Sequence, residues 1–352
     1  MNDTSAVHVA ILIVSYRGQP YLCDCLDSIH AASTDTCKLH AVVVDNASPD
    51  QTSQLIQAQY PDAHLVQSST NLGFAGGNNL GWQYIQQHLP QAQYVMLLNQ
   101  DARLGDQGIT PLIDFLQSHP NAACVQPAIM LHDNQTLLNT AGNRSHYLGF
   151  GIKTGYRQPV TGPWTEARKL DFPSGCAVML RRDLLEKHGL FADDLFMYLE
   201  DAQLGWMYRL LGYDNWYLPQ ATVIHQYQFG STLNSYEHLE RNRWWMLRVF
   251  YRWPTLLLLL PALLLMELGQ MAYAITQGCL GKKLASYRPR NRQARQTARR
   301  LMQSQRVISD RQLTANFTSH IPASELKHWA LQGIANPLFT VYWKIARLFL
   351  WW

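Results

Sequence analysis

Charged residues and cysteines are both scarce in this chain of 352 residues, and each shortage excludes a class of protein. Asp, Glu, Lys and Arg make up 15% of the residues and apolar residues 47%, which excludes a disordered chain. The six cysteines are scattered, and no set of Cys and His has the spacing of a zinc site. We therefore expect a globular chain with free thiols in a reducing cytosol.

Two further absences concern the beginning of the chain and its acidic residues. The first apolar run, Val9–Val14, has the length of a strand and is too short for the apolar core of a secretion signal. The segment Lys282–Arg311 has ten Lys or Arg but one acid, Asp310, a local charge of +9 in a chain of net charge +4. The basicity therefore belongs to this segment, whose expected partner is nucleic acid or a membrane surface.

Short apolar runs alternate with amphipathic patterns along the first 130 residues. The predicted strands are Val9–Ser15, Leu39–Asp45, His64–Gln67, Tyr94–Leu98 and Ala123–Met130, and the predicted helices are Tyr21–Ala31, Asp50–Gln59, Gly77–Leu89 and Thr110–Ser118. This alternation predicts an α/β fold with a mostly parallel sheet and flanking helices. Ligands bind such sheets beyond the carboxyl ends of the strands.

The pattern weakens over 132–169, where we predict loops with a hairpin. It returns in a strand at Phe172–Leu180, a helix at Asp201–Leu211 and a last strand at Asn215–Gln226. We expect these elements to complete the same sheet and its helical layers.

Residues 254–280 form an apolar run that is long enough to cross a bilayer but is interrupted by Pro261 and Glu267. Arginines precede this run and the basic segment follows it, so a single crossing would place one positive cluster outside the cell. A helical hairpin or an interfacial insertion accommodates both clusters better. We predict two parts: a sheet domain at 1–235, and a helical, hydrophobic and basic membrane-associating region at 236–352.

Acids follow two of the predicted strands directly. Asp45 ends the apolar run Val42–Val44, and Asp101 lies in the stretch LLNQDARL, Leu97–Leu104. Asp45 can accept a hydrogen bond from a nucleotide base, or it can form an Asx turn. Asp101 can hold a hard divalent cation against phosphate oxygens, or it can cap a turn. One carboxylate is a poor cation site, so further ligands must come from the rest of the chain or from the substrate.

The stretch NLGFAGGNN, Asn71–Asn79, has glycines that allow the backbone to approach a ligand closely. A helix that begins after Gly77 would present its N-terminus to an anion, whereas the alternative is a glycine-rich turn. Ala75 and Asn78 stand where the dinucleotide-binding pattern G-x-G-x-x-G requires glycine, which argues against an NAD-dependent dehydrogenase.

Two later stretches add candidate groups. Glu200 and Asp201 lie at a predicted helix N-terminus, where the dipole favours carboxylates, so they either cap the helix or supply one general base. His225, in the stretch Val223–Ser231, is either a structural histidine or the missing cation ligand near Asp101.

Taken in order, these stretches resemble the inverting glycosyltransferases of family 2, which have the GT-A fold, and especially their rhamnosyltransferase-like members. The matching stretches cover about residues 7–250 and are Val14–Tyr16, Val42–Asp50, Asn71–Asn79, Leu97–Leu104, Phe172–Asp183 and Phe196–Tyr213, followed by His225. Two positions depart from the family pattern: Asn99 stands where many relatives have Asp, and Arg17 where Asn is common.

The resemblance implies a role for each matching residue. Asp201 would be the catalytic base with Glu200 beside it, and Asp101 and His225 would hold a divalent cation, Mg²⁺ or Mn²⁺. The residues expected to bind the nucleotide sugar are Ser15, Tyr16, Asp45, Asn46, Asn71, Gly73, Phe74, Gly76, Asn78 and Asn99. Ser174 and Gly175 would line the acceptor side.

The resemblance also implies a function. The chain would move a sugar, such as rhamnose, from a nucleoside-diphosphate sugar to a hydroxyl of a lipid-linked or cell-surface glycan, with inversion. It would work at the cytoplasmic face of the cell membrane, peripheral or hairpin-inserted, with its basic segment on anionic lipids. The alternatives are a non-catalytic membrane-bound scaffold with the same fold and a nucleic-acid binder that uses the basic segment, although we expect no nucleic acid.

Overall fold

The computed structural model describes residues 6–226, 232–323 and 328–352. Its strands are β1 (Val7–Ser15), β2 (Cys37–Asp45), β3 (His64–Gln67), β4 (Tyr94–Leu98), β5 (Ala102–Leu104), β6 (Ala122–Leu131), β7 (Leu138–Thr140), β8 (Asn143–Ser145), β9 (Gly151–Lys153), β10 (Arg168–Leu170), β11 (Ala177–Arg181) and β12 (Asp214–His225). Its helices are α1 (Leu22–Ala32), α2 (Thr52–Gln59), α3 (Gly73–His88), α4 (Thr110–Ser118), α5 (Arg182–His188), α6 (Glu200–Leu210), α7 (Thr232–Phe250), α8 (Trp253–Thr276), α9 (Leu280–Ser286), α10 (Arg292–Gln305), α11 (Asp310–Leu313) and α12 (Asn336–Phe349).

Ten of these strands form one mixed sheet in the order β10-β12-β6-β11-β4-β1-β2-β3, with β5 paired to β12 and β7 to β6. The pairs β1–β2, β1–β4, β2–β3 and β6–β12 are parallel, and β11 lies antiparallel between β4 and β6. The predicted α/β fold with flanking helices is confirmed. The antiparallel insertion of β11 could not be predicted, because an apolar run carries no strand direction.

Side chains alternate between the two faces of the sheet, as the period of a strand requires. On β1, Leu12 packs with α3 and α6 in one core cluster, whereas Ile11 and Ile13 pack with α1 and α4 in another. Burying each such side chain stabilises the fold by about 1.5–3 kcal/mol. The strand ends are therefore held in one register, in which Ser15 pairs with Asp45 and Asp45 with Gln67.

Two predicted elements have different bounds in the structure. Helix α3 begins at Gly73, four residues before the predicted start, because the glycines lie inside the helix rather than ahead of it. The strand predicted at Phe172–Leu180 is confined to β11, and the residues before Ala177 form a loop that contains Ser174 and Gly175. The predicted hairpin in 132–169 is formed by β8 and β9.

The C-terminal helices pack onto the α3 side of the sheet. Trp206 of α6 contacts the rings of Phe250, Tyr251 and Phe317, which belong to the core cluster that also includes residues of α8 and α12. Helix α7 runs through the predicted division between 1–235 and 236–352. The two parts thus share a core, and the division into domains stays a prediction.

Candidate active site

Asp101 and His225 meet at one edge of the sheet. Strand β5 pairs antiparallel with β12, which places Ala102 opposite His225. As a result, Nε2 of His225 lies 3.2 Å from Oδ1 of Asp101. The two residues predicted to hold a cation are therefore brought together. The rest of the predicted stretch, residues 227–231, lies outside the described residues.

Asn139 of β7 orients the His225 ring from behind. Nδ1 of His225 lies 3.3 Å from Oδ1 of Asn139, and because that oxygen can only accept, the Nδ1–H donates. On the other side of the ring, the Nε2–H donates to the Asp101 carboxylate, and a bound cation would replace that proton while the Nδ1–H stays on Asn139. A metal-binding histidine commonly donates its second N–H in this way. Sequence patterns do not point to Asn139, since nothing in its neighbourhood connects it to His225, 86 residues further along.

The donor set fits a cation that is shared with the substrate. Among the described residues there is no group of three or more His, Cys, Asp or Glu side chains that could hold a metal ion. A carboxylate and an imidazole supply two ligands, and the remaining positions would have to come from phosphate oxygens and water. Mg²⁺ and Mn²⁺ are commonly bound in this way by one or two carboxylates together with a substrate diphosphate.

Gln100 fixes the loop that follows β1. Its Oε1 accepts from Oγ of Ser15 at 2.8 Å and from the N–H of Tyr16 at 3.0 Å, and its Nε2 donates to the carbonyl of Tyr16 at 3.1 Å. One amide side chain thus pairs with a backbone as a neighbouring strand would.

Asp45 is buried and uses both of its carboxylate oxygens within the protein. Oδ1 accepts from the N–H of Ser48 at 2.9 Å, and Oδ2 accepts from the hydroxyl of Ser53. The Asx turn considered as an alternative is therefore present. Each oxygen can accept one further hydrogen bond, so contact with a nucleobase stays a prediction.

Asn46, Asn71 and Asn78 use their side chains on the glycine-rich segment itself. Oδ1 of Asn46 accepts from the N–H of Leu72 at 2.8 Å and its Nδ2 donates to the carbonyl of Gly73 at 2.9 Å. Oδ1 of Asn71 accepts from the N–H of Gly73 at 2.8 Å, and Nδ2 of Asn78 donates to the carbonyl of Phe74 at 2.8 Å. These contacts make the three amides positioning groups for the segment.

The glycines of this segment allow it to pack closely against other parts of the same chain. Gly73 has a φ of +73°, and a Cβ there would lie 2.2 Å from the carbonyl oxygen of Phe196. A Cβ on Gly77 would lie 2.7 Å from Val14 of β1, and one on Gly76 would lie 2.8 Å from Leu72. The predicted helix start after Gly77 is wrong, because Gly77 lies within α3 and packs on the sheet, and binding of an anion by this segment stays a prediction.

Glu200 and Asp201 follow two residues with a left-handed backbone. Tyr198 and Leu199 have φ values of +70° and +64°, which cost about 1–3 kcal/mol each in non-glycine residues. Asn242 of α7 offsets this cost, because its Nδ2 donates to the carbonyls of Met197 at 3.0 Å and Tyr198 at 2.7 Å. The start of α6 is therefore held by a helix from the C-terminal region.

Asp201 lies beside the loop that precedes β11. Its Oδ2 accepts from the N–H of Gly175 at 3.3 Å, and its Oδ1 accepts from the N–H of Ala202 at 2.7 Å. A Cβ on Gly175 would lie 3.3 Å from the ring of Phe74 and 3.7 Å from Cβ of Asp201. The N–H of Ser174 donates to Oε1 of Gln126 at 2.6 Å, which fixes this loop. The predicted base, acceptor-side and donor-side segments thus meet here.

The two adjacent carboxyls have different environments. Burial, together with the charge of Asp201, raises the pKa of Glu200 to about 8. Burial also raises the pKa of Asp201 to about 6, a smaller rise because the N–H groups of Gly175 and Ala202 favour its ionised form. Oε2 of Glu200 has no hydrogen-bond partner among the described residues. The two N–H groups on Asp201 and the unpartnered oxygen of Glu200 therefore favour Asp201 as the ionised member of the pair.

The fold is of the GT-A type. A crystal structure of GalNAc-T7 with UDP, GalNAc and Mn²⁺ superposes with a TM-score of 0.56 at 14% identity, over 71% of this chain and 49% of that one. The sequence model of glycosyl transferase family 2 matches residues 10–189, and the chain belongs to this family. The predicted family membership is confirmed.

Two relatives indicate which kinds of transferase the chain resembles. N-acetylglucosaminyl-diphospho-decaprenol L-rhamnosyltransferase of Mycobacterium tuberculosis (strain CDC 1551 / Oshkosh) is 25% identical over 251 residues, 65% of this chain and 79% of the relative. Low-salt glycan biosynthesis hexosyltransferase Agl10 of Haloferax volcanii is 25% identical over 203 residues, 58% of this chain and 62% of the relative. The chain is thus a glycosyltransferase similar to rhamnosyl- and hexosyltransferases.

Proposed function

We propose that the protein transfers a hexose-type sugar, such as rhamnose, from a nucleoside-diphosphate donor to a hydroxyl of a lipid-linked glycan, with inversion and with a divalent cation. The observation that carries this proposal is the arrangement of Asp101 beside His225 and of an ionised Asp201 beside Gly175 and Phe74. The name of the mycobacterial relative, whose acceptor is a diphospho-decaprenol, supports a lipid-linked acceptor.

The cation would lie between the protein and the donor diphosphate. Oδ1 of Asp101 and Nε2 of His225 would hold it, and Asn139 would keep the histidine ring in place. When bound, Mg²⁺ or Mn²⁺ supplies positive charge that offsets the charge growing on the departing diphosphate. Asn99 would act at most through another group, since a neutral amide oxygen binds a hard divalent cation more weakly than a carboxylate does.

Asp201 would accept the proton of the attacking hydroxyl. A bond forms between the acceptor oxygen and the anomeric carbon while the bond from that carbon to the diphosphate oxygen breaks, and the bonding pair leaves with the diphosphate. Attack from the opposite face inverts the anomeric centre in one displacement. Glu200, neutral at this stage, would leave Asp201 as the only charged carboxylate of the pair.

The residues predicted to bind the donor would have different roles. Asp45 would use its remaining acceptor positions for the nucleobase, and Ser15 and Tyr16 would face the nucleotide from the loop that Gln100 holds. Asn46, Asn71, Gly73, Gly76 and Asn78 would act by shaping the segment that presents Phe74. Ser174 and Gly175 would line the acceptor side.

A membrane with anionic lipids would be the place of the reaction. The C-terminal region has the basic segment Lys282–Arg311 and the apolar helix α8, and a lipid-linked acceptor requires access to a bilayer. We propose the cytoplasmic face, where nucleotide sugars are available. Against the scaffold alternative, burial and the charge of Asp201 raise the pKa of Glu200, and its Oε2 has no hydrogen-bond partner among the described residues, a combination that is common at functional sites.

A donor screen tests the proposal. Purified protein and membranes are incubated with dTDP-, UDP- and GDP-sugars, with Mg²⁺, with Mn²⁺ or with a chelator, and nucleoside diphosphate release and the anomeric configuration of the product are measured. We expect cation-dependent release with one donor class and an inverted product. Turnover that is unchanged in the chelator would contradict the role of Asp101 and His225, and a retained configuration would contradict direct displacement.

A further inference from the structure

Helix α8 exposes an apolar face along its whole length. Leu257, Leu264 and Leu268 are 69%, 56% and 70% exposed, at helical spacing. The full set of exposed large apolar residues on α8 is Trp253, Leu257, Leu260, Leu264, Leu265, Leu268 and Ile275. The opposite face, with Leu259, Leu263 and Met266, is buried in the core cluster of the sheet domain. Half of this helix is therefore a packed core helix, while the other half has no protein cover among the described residues.

Helix α12 has the same construction and lies against α8. The exposed residues Leu338, Val341, Ile345, Leu348 and Phe349 alternate with the buried residues Phe339, Trp343 and Ala346. The hydroxyl of Tyr342 donates to the carbonyl of Leu258, and Nε1 of Trp352 donates to Oγ1 of Thr255 at 2.7 Å. We call the exposed apolar residues of α8 and α12 together the apolar platform. An exposed apolar surface of this extent marks an interaction site.

Buried charges tie α8 to the rest of the protein at its start and in its second half. Oε2 of Glu267 lies 2.7 Å from Nζ of Lys283, and its other oxygen contacts the buried guanidinium of Arg243. At the start of the helix, Thr255 donates to the buried carboxylate of Asp310. If α8 crossed a bilayer, these charges would enter the hydrocarbon, which is strongly unfavourable. Length and composition allow α8 to span a membrane, but its contacts favour an orientation along the surface.

The C-terminal region that carries the apolar platform is rich in exposed cations. Within the described residues from 251 onwards, the acids are Glu267 and Asp310, and both are occupied in ion pairs. The exposed cations of this region are Arg288, Arg290, Arg292, Arg300, Arg311, Lys344 and Arg347. Lys344 and Arg347 lie on α12 itself, next to Ile345 and Leu348. Apolar side chains flanked by Lys and Arg are the pattern of a helix that lies in the headgroup region of an anionic membrane.

We infer that the apolar platform is a docking surface for an anionic lipid bilayer, on which α8 and α12 lie in the plane of the interface. This inference rests on the proposed function, in which the acceptor is lipid-linked. Binding to lipid can nevertheless be measured without turnover. Helix α7, which leads into α8, holds the backbone before Glu200 through Asn242 and so connects the docked helices to the segment that carries Asp201.

Vesicle flotation without substrates tests the inference. The full-length protein is mixed with vesicles of phosphatidylglycerol and phosphatidylcholine in equal parts, or of phosphatidylcholine alone. The test variants are Leu264→Asp and Val341→Asp, and the matched control is Val307→Asp, an exposed valine outside the platform. We expect each platform variant to lower the partition onto anionic vesicles by about tenfold or more, because a carboxylate enters the apolar layer. The control and Asp201→Asn should bind as the native protein does.

Equal binding of all variants, or equal binding to both kinds of vesicle, would overturn the inference. Orientation is tested with Gln277→Cys, an exposed position directly after α8, and a membrane-impermeant maleimide added to protein-loaded vesicles. The labelling of the parent protein is subtracted, so that the new thiol alone is measured. In-plane docking predicts that this thiol is labelled as much with vesicles as without them. Protection of the new thiol by vesicles would show that α8 crosses. If the native protein binds neither kind of vesicle but transfers sugar to a soluble acceptor, the platform is rejected and the proposed chemistry stands.

Discussion

Asp101 and His225 meet because two strands pair, whereas Glu200 and Asp201 are held where they are by a helix from the C-terminal region. On the cation side, the register of β5 and β12 sets the distance between the ligands. On the base side, two left-handed residues precede α6, and Asn242 of α7 holds their backbone. The first arrangement is local to the sheet edge, while the second depends on how the C-terminal helices pack. Substitutions on the cation side and on the base side should therefore change different properties of the enzyme.

Among the variants that distinguish the cation side from the base side, Asp101→Asn should have the largest effect on activity. It removes the one carboxylate of the cation pair, and we expect kcat/KM to fall by about a hundredfold or more, because the cation supplies several kcal/mol of charge stabilisation. Asp106→Asn, an exposed acid after β5, is the matched control and should have native activity. Native activity of Asp101→Asn across a cation titration would show that the pair holds no cation.

Asn139→Ala tests whether the cation side is positioned from behind. Without the acceptor on Nδ1, the ring of His225 can rotate, and we expect the apparent cation affinity to fall by about 10–100-fold. Saturating Mn²⁺ should restore most of kcat, which a general loss of structure would not allow. The control is Asn134→Ala, an exposed residue of the same connection between β6 and β7. A lower kcat that Mn²⁺ cannot restore would contradict a positioning role.

Asn242→Ala is the corresponding change on the base side. It frees the carbonyls of Met197 and Tyr198, so we expect kcat to fall several-fold and the free energy of unfolding by about 1–2 kcal/mol. The apparent cation affinity should stay native, which distinguishes this variant from Asn139→Ala. Asn316→Ala, at an exposed position in the C-terminal region, is the control in steady-state kinetics and thermal unfolding.

The smallest effect concerns stability and pH at Glu200. Because the folded pKa of Glu200 is raised, its contribution to stability is present at acid pH and is lost as pH rises through about 8. The Glu200→Gln side chain cannot ionise. Between pH 6 and pH 9 the native protein should therefore lose about 1 kcal/mol or more of its free energy of unfolding relative to this variant. Parallel stability curves over that range would show that Glu200 is not held neutral.

Sequence patterns predicted the longer strands well because each one is an apolar run that ends at a turn signal. The ends of β1, β2 and β4 were predicted to the residue, and with them the places of Ser15, Asp45 and Asn99. The start of α3 was misplaced because glycine signals a turn, although Gly77 here serves close packing on Val14. The direction of β11 depends on its neighbours in space, which a single sequence does not indicate.

The groups that position the candidate site were not predicted. Gln126, Asn139 and Asn242 contact Ser174, His225 and the backbone before Glu200 across long stretches of chain. Each is an ordinary amide in its own sequence context. The acids and the histidine could be proposed because strand ends and a family resemblance pointed to them, whereas their supporting amides are defined only by the packing of distant elements.

The most direct test of the central claim, that Asp201 is the ionised base while Glu200 stays neutral, is the pH dependence of kcat/KM for the native protein, Asp201→Asn and Glu200→Gln. We predict that native activity declines below a midpoint near pH 6, that Asp201→Asn loses about 10²–10⁴-fold in rate, and that Glu200→Gln keeps most of its activity with the same midpoint. Full turnover by Asp201→Asn, or loss of turnover in Glu200→Gln alone, would contradict this assignment.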